Sequence, residues 1–64
     1  MCEANVYIRN KGEKDYELLL EAVDKVIPGD GEILVESIFG ERKIVKAKFE
    51  EMLLLDHKIH LERI

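Results

Sequence analysis

A chain of 64 residues with a single cysteine must hold its fold together around one small core and without an internal disulfide. A core of that size supplies only about 3–5 kcal/mol of net stability, and no apolar material is left over for a second one. The expectation is a single domain over residues 1–64, supplemented either by metal or by self-association. A symmetric homodimer is the commonest way to add buried area.

Apolar residues alternate with polar ones along much of the chain, the period of a half-buried strand. Cys2, Ala4, Val6 and Ile8 fall on one side, and Glu3, Asn5, Tyr7 and Arg9 on the other. Asn10 to Asp15 carries charge and a glycine, with no apolar residue, and reads as a hairpin loop. Pro28-Gly29-Asp30-Gly31 is a tight turn, because proline fixes φ and the following residues tolerate positive φ. Glu32 to Phe39 reads as a strand with apolar residues on both faces, closed by a turn at Gly40-Glu41-Arg42. Lys43 to Phe49 places Val45, Ala47 and Phe49 inward. The adjacent polar pair Glu50-Glu51 breaks that phase, which predicts a β-bulge before alternation resumes through Met52 to Leu55. After a turn at Asp56-His57-Lys58, Ile59 and Leu61 alternate with His60 and Glu62 in a last strand.

One segment supports two readings. Leu19, Ala22, Val23, Val26 and Ile27 lie at the spacing of a helical stripe, whereas Tyr16, Leu18 and Leu20 alternate as a strand would. Periodicity leaves residues 16–27 as a short helix or a strand. With strands elsewhere and short turns between them, the fold class is all-β: a small antiparallel β-barrel of the SH3-like or Sm-like kind, since closure removes exposed sheet edges.

The net charge of −4, from 10 basic and 14 acidic residues, argues against general affinity for phosphate backbones. Arg42, Lys43, Lys46 and Lys48 form the only basic concentration, and no exposed aromatic interleaves them, so RNA is a disfavoured partner. The longest apolar run, Met52 to Leu55, is far too short to span a bilayer, and the N-terminus has no basic and apolar regions of a signal peptide. Together with the lone cysteine, these features predict a reducing cytoplasm and no membrane association.

The opening Met1-Cys2-Glu3-Ala4-Asn5-Val6-Tyr7, the central Ile38-Phe39-Gly40-Glu41 and the closing Leu55-Asp56-His57-Lys58-Ile59-His60-Leu61-Glu62 resemble the CooT family across essentially the whole chain. The resemblance implies a dimeric nickel-binding accessory protein for maturation of carbon monoxide dehydrogenase, with the cysteine after the initiator methionine as metal ligand. It also implies a strand for residues 16–27. The family has in addition carried the label of an RNA-binding protein.

Cys2 is the one residue here with evident metal chemistry. Its plainest role is that of a small hydrophobe on the inward face of the first strand. Removal of Met1, however, would leave an amine and a thiol on one residue, and both groups titrate near pH ~8 and yield their protons to a metal. Two copies meeting at a two-fold axis would then offer two thiolates and two nitrogens. Ni(II) and Cu(II) both accept that donor set in a square plane, while Zn(II) prefers a tetrahedron; the choice of nickel over copper comes from the resemblance. His57 and His60, three apart, would point to opposite faces of a strand and make a poor joint pair. No oriented base, oxyanion site or phosphate loop accompanies Cys2, so the chain is read as not an enzyme. The alternative is a small-barrel RNA-binding or protein-interaction module in which Cys2 only packs.

Overall fold

The computed structural model describes residues 3–64. They form six strands: β1 Ala4–Arg9, β2 Glu17–Pro28, β3 Ile33–Ser37, β4 Arg42–Val45, β5 Ala47–Leu53 and β6 Lys58–Arg63. All lie in one sheet in the order β4-β3-β2-β1-β6-β5. No helix occurs among the described residues, and none is therefore long and apolar enough to cross a membrane.

The all-β class holds, but two features of the expected barrel are corrected. First, β1 and β6 run parallel, with Asn5 to Arg9 opposite Lys58 to Glu62, so the sheet is mixed. Second, the two outer strands β4 and β5 do not pair with each other, so no ladder closes the sheet. They are instead consecutive pieces of one bent segment, joined through Lys46, whose carbonyl accepts a 3.2 Å hydrogen bond from Ile64 N. The first piece pairs with β3 and the second with β6. A chain this short cannot supply a second layer, so the sheet curls over itself. Val6 and Ile8 of β1, Leu20 and Val23 of β2, Ile33 and Val35 of β3, Ala47 of β5 and Leu61 of β6 meet in one core.

Residues 16–27 resolve as strand, since β2 covers Glu17–Pro28. Its helical spacing has a physical cause. Val6 faces Leu20 while Ala4 faces Val23, and Tyr7 faces Leu18, so β2 carries extra residues at Leu19 and around Glu21-Ala22. A third extra residue, Asp24, separates the partners of Ser37 and Glu36. Each bulge resets the alternation. The inward residues Leu20, Val23 and Val26 thus recur every three positions, which imitates a helical stripe.

The turns largely match expectation. Glu13 N donates to Asn10 O across the first loop at 3.0 Å, and Gly12 takes φ +82°, open to glycine at no steric cost. The bulge expected at Glu50-Glu51 appears as a register shift between Phe49 and Glu51. Two strand ends are corrected. β3 stops at Ser37, so Ile38 and Phe39 stand in the following turn, where the buried Ser37 hydroxyl accepts hydrogen bonds from Phe39 N and Glu41 N at 3.1 and 3.2 Å. β5 stops at Leu53, so Leu54 and Leu55 do not resume the alternation; they form an exposed turn with Asp56 and His57.

Candidate metal site and its surroundings

Cys2, the sequence-predicted ligand, lies outside the described residues; the structure shows the frame into which the chain leads. Glu3 and Ala4 lead into β1 between the middle of β2, where Ala4 faces Val23, and the β5–β6 turn. Asn5 fastens this start at two points. Its backbone N donates to His57 O at 2.9 Å, and its side-chain Oδ1 accepts from Ala22 N at 3.2 Å. Ala22 and His57 are the two non-glycine residues with positive φ among those described, at +53° and +55°.

Beside this start lies an apolar trough of about 460 Å³, floored by Ala4, Val23, Val26, Leu53, Leu54 and Ile59. Polar groups rim it. Glu3 Oε2 is buried and has no hydrogen-bond partner among the described residues, next to a second hollow bordered by Asn5, Asp56 and His57. Leu54 and Leu55 extend the apolar surface into solvent. The described residues contain no cluster of three or more histidine, cysteine, aspartate or glutamate side chains able to hold a metal.

The structure keeps the two histidines apart, one in the β5–β6 turn and the other in β6. His57 sits in the turn under Asn5. His60 lies half-buried in β6. Its ring stacks on Tyr16 at 4.2 Å, meets the edge of Tyr7 at 5.8 Å and places Nδ1 2.8 Å from Glu51 Oε1. Tyr7 is thus half-buried against His60. Next to this stack, Arg9 lies 5.0 Å from the Tyr16 ring centre and joins Glu50 and Glu62 at 3.5 and 3.3 Å. The Arg9 Nε approach to Glu62 satisfies the charges while lying off the line of a hydrogen bond. Burial pushes the Glu62 carboxyl up, but the Glu50 hydrogen bond, Arg9 and Lys48 together outweigh it and hold the group below the usual carboxylate range.

The basic concentration is largely spent within the fold. Arg42 pairs with Glu36 at 3.2 Å, Lys43 Nζ donates to Leu19 O at 2.9 Å, and Lys48 lies 3.5 Å from Glu62. A continuous track for a phosphate backbone is not presented, which counts against the RNA reading.

Fold and surroundings define a small all-β domain of one curled sheet, with an apolar trough beside the start of β1. The family profile for the CO dehydrogenase accessory protein CooT matches residues 1–62. The chain belongs to the CooT family: an accessory protein of CO dehydrogenase and not an enzyme. A crystal structure of a candidate CooT from Carboxydothermus hydrogenoformans is similar to it at 48% sequence identity, with a TM-score of 0.88 over 98% of each chain. No curated protein matches the chain.

Sequence reasoning missed Asn5, Ala22 and the trough. A single asparagine on the outward phase of a strand looks solvated, and only the bulge opposite gives it a partner. The trough gathers residues from β1, β2, β5 and β6, which no local pattern connects.

Proposed function

We propose that this chain binds Ni(II) as cargo for maturation of CO dehydrogenase in the cytoplasm, as a homodimer in which Cys2 of each copy contributes to one shared ion. The family match carries this reading, because it runs from residue 1 and so includes the cysteine that the family resemblance assigns as ligand. Two further features support it. A soft thiolate with adjacent nitrogens suits Ni(II) better than a carboxylate cluster would. The apolar trough beside Glu3 and Ala4 is a surface that a second copy would cover, bringing the two N-terminal segments together.

The test is a nickel titration of protein shown by mass to begin at Cys2, followed by thiolate-to-metal charge-transfer absorption and native mass spectrometry, with Cys2→Ser as control. One nickel per dimer, lost in the control, is the expected result. A higher affinity for Cu(II) alone would not refute it, since copper outranks nickel at most sites. No nickel uptake, or uptake unchanged by Cys2→Ser, would refute it.

A further inference from the structure

The two ladders of β2 meet at Val23 and do not overlap. The strand pairs with β1 from Glu17 to Val23 and with β3 from Val23 to Pro28. On the side away from β1, residues 17–22 have no strand beside them among the described residues, because β3 stops at Ser37, opposite Val23, and the chain turns off to β4. An open strand edge still has to satisfy its backbone. Leu19 O accepts from Lys43 Nζ at 2.9 Å, and Ala22 O accepts from Ile38 N at 2.8 Å. One donor is an exposed side chain and the other a turn amide; neither belongs to a ladder.

This edge borders a cavity of about 570 Å³ lined in part by Leu20, Ser37, Phe39 and Glu41. Phe39 is 83% exposed, on a turn that is firmly held. The Ser37 hydroxyl accepts from Phe39 N and Glu41 N, Ser37 N donates to Glu41 O at 2.8 Å, and Gly40 N donates to Ser37 O at 3.0 Å. An aromatic side chain on a fixed turn loses little freedom on binding, and such residues anchor interfaces. The charges at the cavity are unevenly engaged. Lys43 is occupied with Leu19 O, whereas Glu21 and Glu41 join no ion pair among the described residues.

We propose that residues 17–22 of β2 are a docking edge for an extended segment of a partner protein in which apolar and basic residues alternate. A backbone N–H of that segment replaces Lys43 at Leu19 O. Its apolar side chains enter the cavity beside Leu20 and Phe39, and its basic ones lie beside Glu21 and Glu41. Main-chain hydrogen bonds then supply affinity and the alternating side chains supply selection. Lys43 guards the edge against indiscriminate pairing, as lysine does on exposed strands. Its exposed hydrogen bond has little net strength and yields to a donor that brings a whole ladder with it. The inference does not depend on nickel and fails or stands apart from that reading.

The probe is a short peptide of alternating lysine and valine, added to ¹⁵N-labelled, metal-free protein. Saturable amide shifts are expected at residues 18–22, Phe39 and Glu41. Two further peptides, N-methylated on one or the other set of alternate residues, keep every charge and lose half the donors. One should bind as the parent does and the other should not, since only one edge of a strand faces β2. Lys43→Met, which uncaps Leu19 O, should tighten binding, while Lys46→Met makes the same change of charge at the β4–β5 bend and should leave it unchanged. Phe39→Ser should weaken it about tenfold. All three substitutions fall on exposed side chains, so the fold is kept. Equal binding of the two N-methylated peptides, or equal effects of the two lysine substitutions, would reduce the attraction to net charge and overturn the docking edge. Absence of shifts at residues 18–22 would overturn it as well, and so would shifts there on raising the protein concentration without peptide, which would give the edge to a second copy.

Discussion

Leu61 and Leu55, six residues apart, separate what the core needs from what the surface offers. Leu61 is fully buried at the middle of β6, facing Ile8 on β1 and Phe49 on β5. Leu55 is 97% exposed in the β5–β6 turn. Truncating a buried leucine to alanine costs about 2–5 kcal/mol, the spread reflecting how far the site collapses onto the cavity. Leu61 has neighbours on both flanking strands, which leaves little freedom to collapse, so about 3 kcal/mol is expected. Against a total of about 3–5 kcal/mol for a domain this small, most of the stability disappears. Leu55→Ala should cost less than about 0.5 kcal/mol within one subunit. Urea unfolding followed by far-ultraviolet circular dichroism measures both, in metal-free protein at one concentration, because binding or association stabilises by mass action. Equal m-values would show that the same surface is exposed in each case. Leu61→Ala within about 1 kcal/mol of the wild type, at equal m, would refute the assignment of the core. A Leu55→Ala loss that grows with protein concentration would instead mark that leucine as part of the interface between copies.

Acid should expose the role of Glu62. Its folded carboxyl titrates below the ordinary value of 4.5, so its stabilising contribution is fully present above that pH and is lost as pH falls through the lower folded value. Urea midpoints taken on acidification below 4.5 should fall more steeply for the wild type than for Glu62→Gln; parallel curves would contradict the pairing with Arg9 and Lys48. Ser37→Ala should lower stability by about 1–2 kcal/mol, because the buried hydroxyl accepts from both Phe39 N and Glu41 N. Hydrogen exchange at those two amides should accelerate more than at Val35, and unchanged exchange would show that the turn holds without the hydroxyl.

The strands that alternate cleanly were readable because only their faces mattered. Val6 and Ile8 in β1, and Leu61 in β6, point where their phase predicts, and the polar pair Glu50-Glu51 marks its bulge because two adjacent polar residues cannot both face water on a regular strand. β2 resisted reading for a definite reason: with bulges at Leu19, Glu21-Ala22 and Asp24, its inward residues recur every third position, and no count of apolar spacing distinguishes that from a helix. The break at Lys46 was hidden for the opposite reason. Alternation continues through Val45, Ala47 and Phe49, while the hydrogen-bonding partner changes from β3 to β6, and side-chain phase carries no record of backbone partners. At the candidate site, the expectation for Cys2 comes from an amine and a thiol on one residue together with the family resemblance, and it stays a proposal because Cys2 lies outside the described residues. The partners of Asn5 were not legible, because they are made by distant bulge and turn geometry.

These irregularities share one cause. A single layer encloses a core only if some strands bend far enough to serve neighbours on both sides. β2 pairs with β1 through Glu17 to Val23 and with β3 through Val23 to Pro28, so that Val23 belongs to both ladders. The segment from Arg42 to Leu53 does the same for β3 and β6, turning at Lys46. The first bend coincides with Ala22, the left-handed residue held by Asn5. The turn that lets β2 wrap the core is thus the same contact that fixes where β1 begins. Asn5 therefore reaches the curl of the sheet through its side chain, which accepts from Ala22 N, and the β5–β6 turn through its backbone N, which donates to His57 O, so that truncating the side chain removes the first contact and leaves the second in place.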